Sequence, residues 1–130
     1  MIEVYTDAAT AGNPGPSAIG VYIKENKNHH KFSSYLGTYS NHEAEFYAVI
    51  HALDYCKENF SGEILSIRCD SQIVVQSVDR EFSKNPIFTP LLQQILSLQE
   101  SFPHVFFKWI PDKENKHADQ LARSELKKNE

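Results

Sequence analysis

Cysteine is scarce in this chain: Cys56 and Cys69 are the only two in 130 residues, and no CxxC spacing joins them. That excludes a disulfide framework and a cysteine-built zinc site, and leaves two reduced core thiols as the expectation. Long apolar runs are missing as well, and the opening M-I-E-V-Y-T-D has no basic segment followed by an apolar one. A soluble, cytoplasmic protein without membrane attachment is therefore expected. Five Gly and six Pro are too few for a low-complexity chain, and no internal repeat is present. Positive charge is short: 13 Lys and Arg stand against 17 Asp and Glu, for a net charge of -4. This argues against a protein that grips nucleic acid through a broad basic field. It does not exclude a nuclease whose own carboxylates are neutralised by bound cations. Nucleophile-elbow, zinc-protease, P-loop and EF-hand motifs are all absent.

What is present fits one domain over residues 1–130, long enough to bury about two-thirds of its unfolded surface. Ile2, Val4 and Thr6 alternate with Glu3, Tyr5 and Asp7 as in a strand, and G-N-P-G-P at 12–16 breaks the run. Asp7 is thereby placed toward the strand's carboxyl end. Ser17 to Lys24 and Lys31 to Tyr39 read as two further strands joined by a polar hairpin link. Phe46, Val49, Ile50 and Leu53 then recur at helical spacing, with Ser40 or Asn41 as the N-cap. Glu63 to Cys69 is a buried strand that stops at Asp70. Ser71 to Arg80 reads as a short helix, and Asn85-Pro86 opens another on which Phe88, Leu91, Leu92, Ile95 and Leu96 share a face. His104 to Ile110 is a fifth strand, and Glu114 to Lys128 closes the chain as a helix with a basic end. The order β-β-β-α-β-α-α-β-α implies an α/β fold with a mixed sheet flanked by helices.

Ligands collect beyond the carboxyl ends of parallel strands, where Asp7 and Asp70 meet if the first and fourth strands are adjacent. Glu45, expected in the first turn of the first long helix, shares a stripe with Val49, Ala52 and Cys56, the side that should face the sheet. Glu43 points roughly the opposite way and reads as solvated. Asp119 shares an inward stripe with Ala122 and Leu126. Four acids in one place repel one another unless cations lie between them. Oxygen-only ligands suit magnesium, and a two-metal site suits phosphodiester hydrolysis. Taken singly, each acid is equally a cap, a strand end or a half-exposed helix residue.

Four segments, in order along the whole chain, resemble the type 1 ribonuclease H family: Y-T-D-A-A-T-A-G-N-P-G-P, S-N-H-E-A-E-F-Y-A-V-I-H-A-L, C-D-S-Q-I-V-V-Q and V-F-F-K-W-I-P-D-K-E-N-K-H-A-D-Q-L-A-R. The resemblance implies a ribonuclease H-like fold of five strands, three antiparallel in hairpins and two parallel. It also implies that Asp7, Glu45, Asp70 and Asp119 are the catalytic, metal-binding set. The implied reaction is hydrolysis of the RNA strand of an RNA-DNA hybrid with two Mg2+ ions, or Mn2+, leaving 3'-hydroxyl and 5'-phosphate ends. Hybrid contacts are implied at Gly12, Asn13, Asn41, Gln72 and Gln76, whose amides and backbone groups suit a wide, shallow minor groove. A monomer is expected, and no protein partner is indicated.

Four features depart from the family pattern. Ala8 stands where Gly is usual, and His42 where a second Asn is common. Trp109 to Asn115 is short and lacks the family's loop histidine, while His117 reads as a surface residue or one behind the ligands. Arg80 to Pro86 replaces a basic, Trp-bearing protrusion with only Arg80 and Lys84. Two other functions therefore stand beside the ribonuclease. One is a hybrid- or RNA-binding module that no longer turns over substrate. The other is a nuclease of the same fold acting on a different nucleic-acid structure.

Overall fold

The structure, a computed structural model, describes residues 1–130. Alternating side chains build three strands in sequence: β1 (Ile2–Thr10), β2 (Gly15–Glu25) and β3 (Asn28–Tyr39). They are followed by α1 (Asn41–Asn59), β4 (Leu65–Cys69), α2 (Gln72–Arg80), α3 (Phe88–Gln99) and β5 (Val105–Trp109). A single 3-10 turn, Asp112–Glu114, leads into α4 (Lys116–Lys128). The five strands form one sheet in the order β3-β2-β1-β4-β5. β1 pairs antiparallel with β2 and parallel with β4, and β4 pairs parallel with β5.

Because successive strand residues point to opposite faces, the sheet carries two apolar layers. Ile2 and Val4 of β1 and Ile19, Val21 and Ile23 of β2 join Phe46, Val49, Leu53, Leu92 and Ile95 in the main core, under α1 and α3. The intervening β2 residues face α4, whose Ala118, Ala122 and Leu126 are buried there. Gly20 is the point of closest approach. A methyl group built on it would lie 2.3 Å from the Ala118 carbonyl oxygen and 2.7 Å from the Ala122 nitrogen. Only a residue without Cβ lets the helix backbone rest on the strand here. No helix is long and apolar enough to cross a membrane.

Several boundaries differ from the sequence reading in ways that bear on the site. β1 runs past Asp7 to Thr10 against β2, in keeping with the break read at 12–16. Its parallel ladder with β4 ends at the pair Thr6 and Cys69, so Asp7 and Asp70 are each the next residue beyond that ladder. The N-cap of α1 is Ser40, not Asn41: its hydroxyl accepts from the Glu43 N–H at 3.2 Å, while the Glu43 carboxylate accepts from the Ser40 N–H at 3.0 Å. Glu43 is thus half of a capping box and not a freely solvated acid. Glu45 consequently lies in the second turn of α1. The last helix starts two residues later than Glu114, because Asp112–Glu114 coils as 3-10 and Asn115 leaves helical geometry.

Candidate active site at the ends of β1 and β4

Beyond the parallel ladder, Asp7, Glu45 and Asp70 each bring an oxygen to within 4.8 Å of the others. They line one open cleft of about 670 Å3 together with Asp119. Asp7 is 5% exposed and Glu45 9%, so two of these charges are nearly out of water. Burial is the main reason Asp7 is pushed up to about 8, with Asp70 and then Asp119 adding repulsion against the stabilising Ala8 N–H. Glu45 is pushed far above its ordinary range, first by burial and then by Asp7 and Asp70. Asp70 is also raised by burial, but hydrogen bonds from Asn115 and from Glu45 pull it back. Without a cation, burial and mutual repulsion thus disfavour the charged form of all three acids.

Asp119 stands at the side of this trio. Its Oδ1 accepts a 2.9 Å bond from Arg123 Nε, one turn along α4 and exposed. Lys113, Lys116 and Arg123 border the same cleft, so a cationic rim surrounds an acidic floor. Sequence reading missed these three because each sits among ordinary surface charges, and only the turn before α4 brings them to the acids. Oxygen-only donors at this spacing fit one or more hard divalent cations, and nitrogen or sulfur ligands are not part of the group.

The backbone around the acids is held by neighbours. Ala8 N donates to Asp7 Oδ1 at 2.9 Å. Ala8 keeps a negative φ, so alanine sits there without backbone strain. The Trp109 indole N–H donates to the Asp70 carbonyl at 3.0 Å, tying the end of β5 to the end of β4. Asn115, 1% exposed, donates from Nδ2 to the Thr6 carbonyl at 2.8 Å and to Asp70 Oδ2 at 3.4 Å. Its role was not foreseen. In the sequence it is one polar residue in K-E-N-K, and only long-range packing reveals it.

Of the expected substrate contacts, Asn41, Gln72 and Gln76 line a second cleft that shares Asn41, Glu45 and Asp70 with the first. It also includes His42, which is exposed. Gly12 and Asn13 are at the β1–β2 loop, where Asn13 Oδ1 accepts from the Asn41 N–H at 2.9 Å. The trough continues past Ile73 and Gln76 to Arg80, Phe82 and Lys84. His117 is not at the acids: its ring stacks on Tyr22 at 4.2 Å. Both thiols are buried and pushed up to about 12 by burial, which makes them unreactive.

Residues 5–125 match the family described as "Reverse transcriptase-like". A protein of Enterococcus faecalis named "Putative hydrolase EbsB" is 38% identical over 129 residues, covering 98% of this chain and 96% of its own. The ribonuclease H of Desulforamulus reducens is 30% identical over 138 residues, covering 93% of this chain and 84% of its own. Among solved structures, LC11-RNase H1 from compost, in complex with an RNA/DNA hybrid, superposes with a TM-score of 0.93 at 30% identity over 99% of both chains. With its strand order, its helices and its match along nearly the full length, this chain belongs to the type 1 ribonuclease H-like family.

Proposed function

We propose that this protein is a divalent-metal-dependent endonuclease that hydrolyses the RNA strand of RNA-DNA hybrids and leaves 3'-hydroxyl and 5'-phosphate ends. The observation that carries this reading is the trio Asp7, Glu45 and Asp70, crowded within 4.8 Å and largely buried, at the floor of an open cleft. Such repulsion is costly in a fold that has no use for cations there, and perturbed carboxylates in a cleft mark functional sites. Two bound Mg2+ or Mn2+ ions would activate a water and stabilise the leaving oxygen.

Each residue has a part that its position supports. Asp7, Glu45 and Asp70 hold the ions, and Asp119 joins them from α4, where Arg123 orients its carboxylate. Asn41, Gln72 and Gln76 meet the minor groove of the hybrid, where amides distinguish a 2'-hydroxyl from a hydrogen. Gly12 and Asn13 add contacts through the loop that Asn13 ties to α1. The net charge of -4 and the short link after α2 leave few phosphate contacts, so the enzyme grips modestly, with a shallow salt dependence. We place it in the cytoplasm, acting as a monomer.

An end-labelled RNA-DNA hybrid, with double-stranded RNA and double-stranded DNA as controls, tests this in Mg2+ and separately in Mn2+. Cleavage confined to the RNA strand of the hybrid is the expected result. Hybrid binding without cleavage in either metal would identify a binding module instead. Cleavage of the control duplexes in preference to the hybrid would identify a nuclease with another substrate.

A further inference from the structure

Asn115 occupies the N-cap of α4 but does not cap it. An asparagine in that place ordinarily accepts a hydrogen bond from an N–H in the first turn of its own helix. Here no side-chain cap bond is made. The amide instead turns inward, bonding the Thr6 carbonyl at 2.8 Å and Asp70 Oδ2 at 3.4 Å, with Oδ1 buried and unpartnered. Helix stability would be better served by capping, and a buried acceptor without a donor is a cost. The side chain gives up both in exchange for contacts that all lead to the acid cluster.

Those contacts reach two of the four acids, Asp70 directly and Asp7 through the residue before it. Thr6 immediately precedes Asp7 in β1 and is the last residue of the parallel ladder with β4. Asp70 is bonded directly. The Asn115 carbonyl also accepts the N–H of Asp119 at 3.1 Å, an ordinary main-chain bond of α4 in which the side chain has no part. One residue thus joins β1, the end of β4 and the start of α4, elements far apart in sequence that meet at the edge of this cleft.

We propose that Asn115 is a positioning residue whose side chain locks Asp7 and Asp70 into one preorganised pair and thereby sets the affinity of the cluster for divalent cations. This rests on the metal-dependent reading given above. The carboxylates make the ligand bonds, and Asn115 acts only through them. Partners that orient metal ligands from behind typically change metal affinity or activity by about 10–100-fold when removed.

Mn2+ binding to the metal-free Asn115→Ala protein, measured by calorimetry without substrate, is expected to weaken by about tenfold or more. In hybrid cleavage the Mn2+ half-saturation should rise by the same factor, with KM for the hybrid unchanged and kcat recovering at saturating Mn2+. A mere structural cap predicts a lower melting temperature with Mn2+ affinity unchanged, and that result overturns the proposal. If the alanine variant does not fold, the side-chain amide signals of Asn115 in 15N-labelled wild-type protein give the answer. They should shift saturably along the binding curve of diamagnetic Mg2+, and signals indifferent to Mg2+ overturn the proposal equally. A wild type that binds Mn2+ but leaves the hybrid intact removes the nuclease reading alone. A wild type that cleaves, beside a variant of unaltered Mn2+ affinity, removes only the role of Asn115.

Discussion

Asp7→Asn is expected to cut hybrid cleavage by more than about a hundredfold while raising the melting temperature of the metal-free protein. The loss of activity follows if Asp7 is a metal ligand as proposed, since even the groups behind such ligands are worth roughly 10–100-fold. The gain in stability follows from burial and repulsion. In the unfolded chain Asp7 ionises near 3.8, whereas in the folded protein its ionisation is pushed up to about 8. Between those values the native state holds a proton that the unfolded state has released, so each rise in pH favours unfolding. The stability that wild type has at pH 4 declines toward pH 8 and levels off above it. Glu45 and Asp70, both raised, add to the decline in the same direction. Asparagine cannot ionise, so the variant escapes its share. At pH 8 it should melt about 3–8 °C above wild type, for a gain on the order of 1–2 kcal/mol, and at pH 4 the two should nearly coincide. Addition of Mg2+ at pH 8 should reverse the order, because ligation stabilises wild type by mass action and the variant far less. Thermal unfolding at two pH values, with and without metal, checks each statement. Equal melting at pH 8 would mean that the carboxylates are not in conflict.

Which acids to suspect is legible in the sequence, whereas the way the fold crowds Asp7, Glu45 and Asp70 within 4.8 Å of one another is not. Period-2 alternation through Ile2, Val4 and Thr6, and helical spacing through Phe46, Val49 and Leu53, are local signals, and both gave the right elements. Glu45 was legible because a carboxylate on a stripe with Val49, Ala52 and Cys56 contradicts its surroundings, and the helix does bury it. Resemblance to a family, not periodicity, supplied the reason to combine Asp7, Glu45, Asp70 and Asp119. The pairing of β1 with β4 could not be read locally, since it joins residues more than sixty apart. Asn115 and Gly20 escaped for the same reason. An asparagine before a helix normally signals a cap, and a glycine in S-A-I-G-V-Y-I-K signals nothing until α4 is laid across it. The capping box is visible as S-N-H-E, but the helical stripe of Glu43 points it away from the sheet, so periodicity does not reveal its bond to the Ser40 N–H.

Gly20→Ala is expected to damage both stability and catalysis, because the glycine positions a helix that carries one of the acids. Gly20 pairs directly with Asp7 across β1 and β2. Its added methyl would meet the Ala118 carbonyl at 2.3 Å, the Ala122 nitrogen at 2.7 Å and Leu121 Cβ at 2.8 Å. Two of these are backbone atoms, which cannot rotate away, so α4 itself must lift from the sheet. Overpacking of this kind costs about 1–3 kcal/mol, which for a chain of this size lowers the melting temperature by roughly 4–12 °C. Asp119 follows Ala118 directly, and Asn115 begins the same helix, so the lift also separates Asp119 from Asp7. A displacement near 1 Å at such a site lowers turnover by up to about a hundredfold even when the protein remains folded. Gly62→Ala provides the contrast. Gly62 has open space around it but φ of +84°, so alanine there brings backbone strain of about 1–2 kcal/mol without moving any site residue. Cleavage assayed well below both melting temperatures should therefore be normal for Gly62→Ala and strongly reduced for Gly20→Ala. Loss of stability in both with normal cleavage in both would show that α4 can shift without disturbing the acids, and that Asp119 has no fixed place among them.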